Sequence, residues 1–280
     1  MYPIDLHVHS TMSDGTFTPR EIAFYAKAKG LQTIALTDHD TISGVLECQE
    51  AGNLVNLKVI AGIEFSVNYF DKEVHMLGYF IDIHNEKLTS HLENLVVSRH
   101  ERNLKMLEKL GELGFPMEYS DIATSEKNAL LTRAHFAQAM LKKGYVKNID
   151  DAFNLYLGNG KPAFIPREHV DFKECIDLIH EIGGVAVIAH PGLYKSFTDE
   201  KLDKFIKTLA EAGLDGIETI YPKYSKEQEE EFLYLCKKYN LLPTGGSDFH
   251  GENKKDLDIG KGYGKTFVPS TLLDALETLL

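Results

Sequence analysis

The sequence predicts an α/β fold interrupted by an all-helical insertion, and three observations on its 280 residues carry that prediction. Short apolar runs alternate with amphipathic stretches in the first third of the chain and again beyond about residue 185, the rhythm of βα units. Between them, from about Asn85 to Tyr156, the periodicity is helical and no strand is convincing. The length suits one α/β barrel with an insertion, or two domains of about 140 residues, and composition does not separate these. The expected division is 1–84 and 160–280 for the α/β part and 85–159 for the helical insertion.

Taken in order, Ile4 to Val8 is the first strand. Thr18-Pro19-Arg20-Glu21 then supplies an N-cap, a proline at the first helical position and a glutamate three residues after the cap; Gly30 ends that helix. Thr33 to Thr37 is a second strand, Thr41 to Ala51 a helix, Lys58 to Glu64 a third strand and Glu73 to Phe80 a fourth. In the insertion, Leu92, Leu95, Val96, Leu104, Leu107 and Leu110 fall near helical spacing. The alternation resumes with a strand at Val185 to Ala189, a helix near Asp199 to Ala212 and a strand at Gly216 to Ile220. A helix opened by Ser225 with Gln228 three residues on, a strand at Leu242 to Gly245 and a helix from Ser270 complete the chain.

Lys plus Arg total 30 against 42 Asp plus Glu, a net charge of −12, which argues against a broad basic surface gripping duplex DNA. The three cysteines, Cys48, Cys175 and Cys236, form no CxxC pair and indicate neither a disulfide framework nor a thiolate zinc site. A reducing cytoplasm is the expected setting. Met1-Tyr2-Pro3-Ile4-Asp5 has no basic or apolar leader character, and no apolar run approaches the roughly 18 residues of a membrane span, so neither secretion nor membrane insertion is expected.

His7-Val8-His9 closes the first strand, and residues two apart on a strand point the same way, so both imidazoles can share one ion. Alone the pair is weak evidence. Asp14 follows it, Asp38-His39-Asp40 closes the second strand, Glu64 closes the third, and His75 lies on the fourth. Ala189-His190-Pro191 and Gly246-Ser247-Asp248-Phe249-His250 close later strands. In parallel α/β folds the carboxyl ends of the strands form one rim where catalytic groups collect. Singly, Asp38 and Asp40 suit helix caps, His75 a bonded core histidine and Asp248 a turn. Jointly, so many ionisable groups gathered without partners would cost roughly 2–7 kcal/mol each, which metal ions relieve.

These motifs, with Asp5-Leu6-His7-Val8-His9-Ser10, Ser13-Asp14-Gly15, Thr37-Asp38-His39-Asp40 and Gly62-Ile63-Glu64, resemble those of the PHP (polymerase and histidinol phosphatase) family of metal-dependent phosphoesterases, in the family's order along almost the whole chain. The helical insertion resembles the cap of the subgroup acting on nucleotides: 5′-monophosphate and 3′,5′-bisphosphate phosphatases and short-RNA 5′→3′ exoribonucleases. The resemblance implies a distorted (β/α)7 barrel with an inserted helical cap and a trinuclear site. It implies one ion on His7, His9, Glu64 and Asp248, a second on Glu64, His75 and His190, and a third on Asp14, His39 and His250; some family members have histidine where Asp14 stands. Glu64, Asp248 and His190 are the expected catalytic residues.

Three divalent ions, three carboxylates and a bridging hydroxide leave a positive pocket that selects phosphate, with the hydroxide as in-line nucleophile. Oxygen and imidazole donors suit Mn2+ first, with Fe2+ or Zn2+ as alternatives. The expected partner is a nucleotide or short single-stranded RNA. Arg99 and Arg102 share a helix face, and Arg133 and His135 begin another helix at Thr132; these four are the substrate-binding candidates, Arg133 and His135 by resemblance to the capped members. Surface pairing of Arg99 and Arg102 with Glu93 or Glu101 is the plainer alternative. Lys161, Arg167, Lys223 and Tyr224 are weaker candidates. His84, His91, His100, His169 and His180 have no motif around them, and Phe136, Phe153 and Tyr156 suit the insertion's core. Histidinol-phosphate phosphatase and a non-catalytic PHP regulatory module are the competing functions; an amidohydrolase is disfavoured because Glu64 takes the place of a bridging lysine.

Overall fold

Among the described residues, nine strands join in one sheet: β1 (Pro3–Val8), β2 (Thr33–Leu36), β3 (Lys58–Tyr69), β4 (Lys72–Tyr79), β5 (Val170–Asp171), β6 (Val185–Ile188), β7 (Gly216–Ile220), β8 (Leu242–Gly245) and β9 (Val268–Pro269). The computed structural model describes residues 2–70, 72–123, 131–166, 170–197 and 200–280. The strand order is β8-β7-β6-β4-β3-β2-β1-β9, with β5 pairing β3. Beyond β8 the chain returns to β1: Val8 and Phe249 form a parallel bridge, and the His9 N–H donates to the Phe249 carbonyl at 2.9 Å. The sheet is thereby a nearly closed, distorted barrel, as the resemblance implies.

Around it lie α1 (Pro19–Ala28), α2 (Val45–Val55), the first turn of α3 (Glu86–Glu112), then α7 (Phe172–Glu181), α8 (Glu200–Glu211), α9 (Lys226–Tyr239) and α10 (Ser270–Leu276); α4 (Tyr119–Ile122), α5 (Arg133–Lys142) and α6 (Ile149–Ala152) come between. The predicted caps form. Thr18 and Glu21 make a reciprocal capping box at α1, and Ser225 and Gln228 make another at α9. Val8, Ile34 and Leu36 pack with Ile22 and Ala26 of α1 and Cys48 and Ala51 of α2, while Ile4, Leu6, Ala35, Leu77 and Val187 share a second apolar cluster. Each such aliphatic side chain, taken from water, contributes about 1.5–3 kcal/mol.

Three elements differ from the sequence expectation. β3 runs on to Tyr69 rather than stopping at Glu64, because its outer half pairs with β4, from Gly62↔Tyr79 through Tyr69↔Lys72. β4 is therefore antiparallel to both β3 and β6. Only two residues separate β3 from β4, and a parallel return needs a dozen or more. α2 begins at Val45 rather than Thr41, since the Thr41 hydroxyl accepts the Ser43 N–H and holds a turn there. Helix α7 and the two-residue strands β5 and β9 were not anticipated. The expected start of α8 at Asp199 lies outside the described residues.

The contacts divide the chain into two compact units, Met1–Thr89 with His169–Leu280, and Ser90–Glu168. The second unit has its own core of Met106, Leu110, Ile122, Phe136, Met140 and Leu157, with Phe153 and Tyr156 packed against it. On α3 the buried residues are Leu88, Leu92, Arg99, Arg102, Asn103, Met106 and Leu110, whereas Val96 and Leu104 are exposed. The helical spacing read from sequence is that of α3, and polar side chains occupy part of its buried stripe.

Candidate metal centre

The nine candidate ligands of the barrel motifs arrive at one place. His7 and His9 come from the end of β1, Asp14 from the turn after it, His39 from the end of β2, Glu64 from mid-β3, His190 from the turn after β6, and Asp248 and His250 from the segment after β8. His75 joins them from near the amino end of β4, which reaches the same rim because β4 runs backwards: Ser66 pairs with His75, and His39 bridges to Glu64. A parallel fourth strand would have carried His75 to the opposite end of the barrel.

The donor atoms fall into interlocking groups. His7 Nε2 and His9 Nε2 lie 3.0 Å apart, 3.3 and 3.2 Å from Glu64 Oε2, and 3.6 and 3.3 Å from Asp248 Oδ1. Ligand atoms bound to one ion at about 2.1 Å stand roughly 3.0–3.4 Å from each other. On the other side of the same carboxylate, Glu64 Oε1 lies 2.9 Å from His190 Nε2 and 3.0 Å from His75 Nδ1. Asp14 Oδ1 is 3.2 Å from His250 Nε2, and Asp14 Oδ2 is 3.9 Å from His39 Nε2. His39 also turns Nδ1 to within 3.0 Å of Glu64 Oε2, and His9 Nδ1 is 4.0 Å from Asp14 Oδ1, so both rings stand between groups.

These residues fit divalent cations on grounds of their own chemistry. Glu64 Oε2 is buried and accepts no hydrogen bond, although nitrogens of three histidines surround it. His9 Nδ1 and His190 Nδ1 are likewise buried without a hydrogen-bond partner. Ligand atoms clustered this closely, some of them buried without a hydrogen-bond partner, are stable once a cation lies between them.

Buried groups absent from the sequence reading hold the donors in place. Glu218 of β7 is fully buried; its Oε1 lies 2.9 Å from His7 Nδ1 and its Oε2 accepts the His190 N–H at 2.7 Å. With His7 Nδ1–H donating to Glu218, His7 Nε2 keeps its lone pair for a cation. The signal was an acid in the otherwise uncharged strand Gly216-Ile217-Glu218-Thr219-Ile220. Asp38 accepts the Ser10 N–H, the Ser10 hydroxyl and the Ser13 hydroxyl, fixing the turn that carries His9 and Asp14. Asp40 accepts the Ser66 N–H at 2.8 Å. Neither acid caps a helix, the plainer reading open to them: the N-cap of α2 is Gly44, and the two acids between them instead hold neighbouring backbone N–H groups and serine hydroxyls. His190 and Asp248 take left-handed backbone conformations, with φ of 33° and 53°, each costing about 1–3 kcal/mol in a non-glycine residue. At Gly246 even a methyl group is excluded, because a Cβ there would stand 2.3 Å from His7 Cβ.

Glu218→Gln tests the supporting role. A glutamine has one carbonyl oxygen for the two donors that Glu218 now accepts, so metal affinity should fall about 10- to 100-fold, read as Mn2+ retained after dialysis. Unchanged retention would remove Glu218 from the site's support.

Without metal, the site's charges oppose burial. Burial presses His7, His9 and His75 toward neutrality, but neighbouring carboxylates outweigh it: His7 is held well above its ordinary value by Glu218 and Glu64, His9 is raised to about 9 by Asp248 and Glu64, and His75 to about 10 by Glu64. Burial dominates at His39, which is lowered to about 3, and lowers His250. Burial would raise Asp14, Glu64 and Asp248, yet the cationic neighbours hold all three well below the ordinary carboxylate range. A raised histidine gives stability that is complete below its unfolded value of 6.5 and is lost as pH climbs through its folded value. A lowered histidine costs stability as pH falls below 6.5. The metal-free protein should therefore be most stable near pH 6.5 and weaken toward pH 9–10. Chelator-treated and Mn2+-loaded protein compared by denaturant midpoint at about pH 6.5 and about pH 9 check this, and loading should abolish the alkaline decline.

In the second unit, Arg99 and Arg102 are buried, so they are not the surface residues of the plainer alternative, while Glu93 and Glu101 are exposed. Arg102 Nη1 lies 3.4 Å from Met106 Sδ. Arg133 opens α5 with its guanidinium over the Phe164 ring. His135 is the third residue of α5, and its Nδ1 accepts the Thr132 N–H at 2.9 Å, so it closes a capping box as well as being a substrate candidate. Lys161 and Lys223 are exposed, and the Tyr224 hydroxyl accepts the Gly192 N–H. Arg167 and His169 lie outside the described residues. His100 Nδ1 lies 3.1 Å from the Tyr119 hydroxyl and His180 Nε2 2.8 Å from Asp215, ordinary local partners.

Comparison with known proteins adds independent support. A family model described as the PHP domain matches residues 5–241. A 5′-3′ exoribonuclease of Haemophilus influenzae is 37% identical over 91% of this chain and 94% of its own length. A 3′,5′-nucleoside bisphosphate phosphatase of Chromobacterium violaceum is 31% identical over 93% of this chain and 91% of its own. Among solved structures, a candidate metal-dependent phosphoesterase of Bifidobacterium adolescentis superposes with a TM-score of 0.88 at 30% identity, covering 99% of this chain and 97% of that one.

Proposed function

The chain belongs to the PHP domain family, and on that premise we propose that it is a metal-dependent phosphoesterase releasing phosphate or nucleotide from nucleoside 5′-monophosphates, 3′,5′-bisphosphates and short 5′-phosphorylated RNA. The observation that carries the reading is the Glu64 carboxylate, each oxygen of which faces a different set of histidine nitrogens. In this reading His7, His9, Glu64 and Asp248 hold one ion, Glu64, His75 and His190 a second, and Asp14, His39 and His250 a third, with Mn2+ as the preferred metal. Divalent ions supply positive charge for phosphate oxygens and lower the pKa of water. Glu64 fixes the spacing of the first two sites, and His190, held through its N–H by Glu218, keeps Nε2 on Glu64 Oε1. The setting is the cytoplasm, in keeping with three buried, unpaired cysteines. Among the described residues, no helix is long and apolar enough to cross a membrane.

Substrate recognition is assigned to Arg99, Arg102, Arg133 and His135, whose planar cations and imidazole suit phosphate oxygens. Arg133→Ala should raise KM about tenfold with metal content unchanged, as expected for loss of one charge-assisted contact of roughly 1.5 kcal/mol. A loss of bound metal with KM unaltered would contradict the assignment. The function itself is tested on Mn2+-loaded protein with AMP, 3′,5′-bisphosphoadenosine, a 5′-phosphorylated short RNA and histidinol phosphate as parallel substrates. Fast turnover of the nucleotide substrates supports the reading; preferential hydrolysis of histidinol phosphate, or inertness toward all four, overturns it.

A further inference from the structure

Asp248 is gripped from behind. Its Oδ1 faces His7 Nε2 and His9 Nε2, while its Oδ2 receives two donors from elsewhere in the barrel: the Tyr221 hydroxyl, just past β7, at 2.7 Å, and the Lys254 ammonium, which also donates to the Asp248 carbonyl at 3.1 Å. Asp248 itself is buried, and the Lys254 side chain is only 27% exposed, so this ion pair is shielded from water and salt far more than a surface pair. Lys254 reaches back over the short turn Gly251–Asn253 that follows His250. Neither residue belongs to the nine donors, and neither stood out in the sequence.

The two donors differ in charge, and that difference has a chemical consequence. Both occupy Oδ2, which leaves Oδ1 as the one oxygen free to face a cation. The phenol is neutral and gives direction. The ammonium carries a full positive charge, which draws electron density from the carboxylate and repels a divalent ion on its far side. A ligand weakened in this way binds its ion less tightly but leaves it a stronger Lewis acid.

We propose that Lys254 and Tyr221 are positioning residues that act on the reaction through Asp248, Tyr221 by fixing its orientation and Lys254 by lowering its donor strength, so that metal retention is traded for turnover. The proposal rests on the reading that the donor cluster holds divalent ions. It predicts opposite effects on metal retention for the two residues, which a general loss of structure would not produce.

The test uses full-length protein loaded with Mn2+, transferred into EDTA, with the metal remaining measured over time and kcat and KM measured separately on AMP. Lys254→Met should keep Mn2+ roughly fivefold longer than wild type, with kcat lowered about tenfold and KM nearly unchanged; Tyr221→Phe should lose Mn2+ roughly fivefold faster. Lys254→Arg, which keeps the charge, should restore wild-type retention and kcat. Lys254→Met losing metal as fast as wild type or faster, or Lys254→Arg behaving like Lys254→Met, overturns the proposal while leaving the metal reading intact. Wild-type protein that takes up no Mn2+ or other divalent ion overturns both.

Discussion

Glu64→Ala should lower kcat/KM by about 1,000-fold or more, because in the proposed reading this one carboxylate would hold ions on both sides and several kcal/mol of transition-state stabilisation would depend on them. Its oxygens stand 2.9–3.3 Å from nitrogens of His7, His9, His39, His75 and His190, so this one carboxylate touches five of the candidate ligands. Alanine removes the link and a negative charge together. Metal stoichiometry measured on the same sample should fall below wild type, while far-UV circular dichroism should stay unchanged, since Glu64 sits on β3 between strands whose ladder bonds do not use its side chain. Retained activity in a metal-loaded Glu64→Ala protein would refute the assignment of the bridge.

The second large effect expected is on stability. Asp5 is fully buried and accepts from four donors: the His7 N–H, the Ser247 N–H and hydroxyl, and the Gly260 N–H. It ties β1 to the segment that carries Asp248 and His250 and to the loop beyond, the place where the barrel closes. Burial pushes the carboxyl up, and the Ser247 and Gly260 bonds pull against that shift. Asp5→Ala leaves all four donors buried and unpaired, at about 1–3 kcal/mol each before relaxation, so a net loss of roughly 4 kcal/mol is expected, a large share of a typical total of about 5–15 kcal/mol. Urea midpoints read this, with Asp5→Asn as the milder companion because its amide oxygen still accepts. A midpoint for Asp5→Ala within error of wild type would show that the closure is held elsewhere.

How much of this was legible beforehand depends on the kind of information. Thr18 and Ser225, with their partners three residues on, marked helix starts through local chemistry that needs no distant contact, and both boxes form. The expected start of α2 at Thr41 has no such partner three residues on, where Gly44 stands, and the Thr41 hydroxyl accepts the Ser43 N–H instead. The direction of β4 was available in principle from the short gap after β3, since a few residues allow only a hairpin. The exposed Val96 and Leu104 of α3 show the converse case. The face that is buried there carries Arg99, Arg102 and Asn103, and hydrophobicity cannot register side chains buried for their polarity.

By itself, then, the order of residues determined the α/β class and the helical insertion, because both are written in local patterns of period and caps; it also gathered histidines and acids near strand ends, and the resemblance of their motifs to the PHP family singled out nine of them as metal-ligand candidates. Tertiary structure alone decided which oxygen of Glu64 meets which ring, that Glu218 supports His7 and His190, and that Tyr221 and Lys254 share Asp248 Oδ2. These pairings join residues up to 211 positions apart, and nothing local distinguishes a buried glutamate or lysine with a partner from an ordinary one. The barrel's closure brings them within hydrogen-bonding distance, and at that distance burial and neighbouring charge set what each group can do.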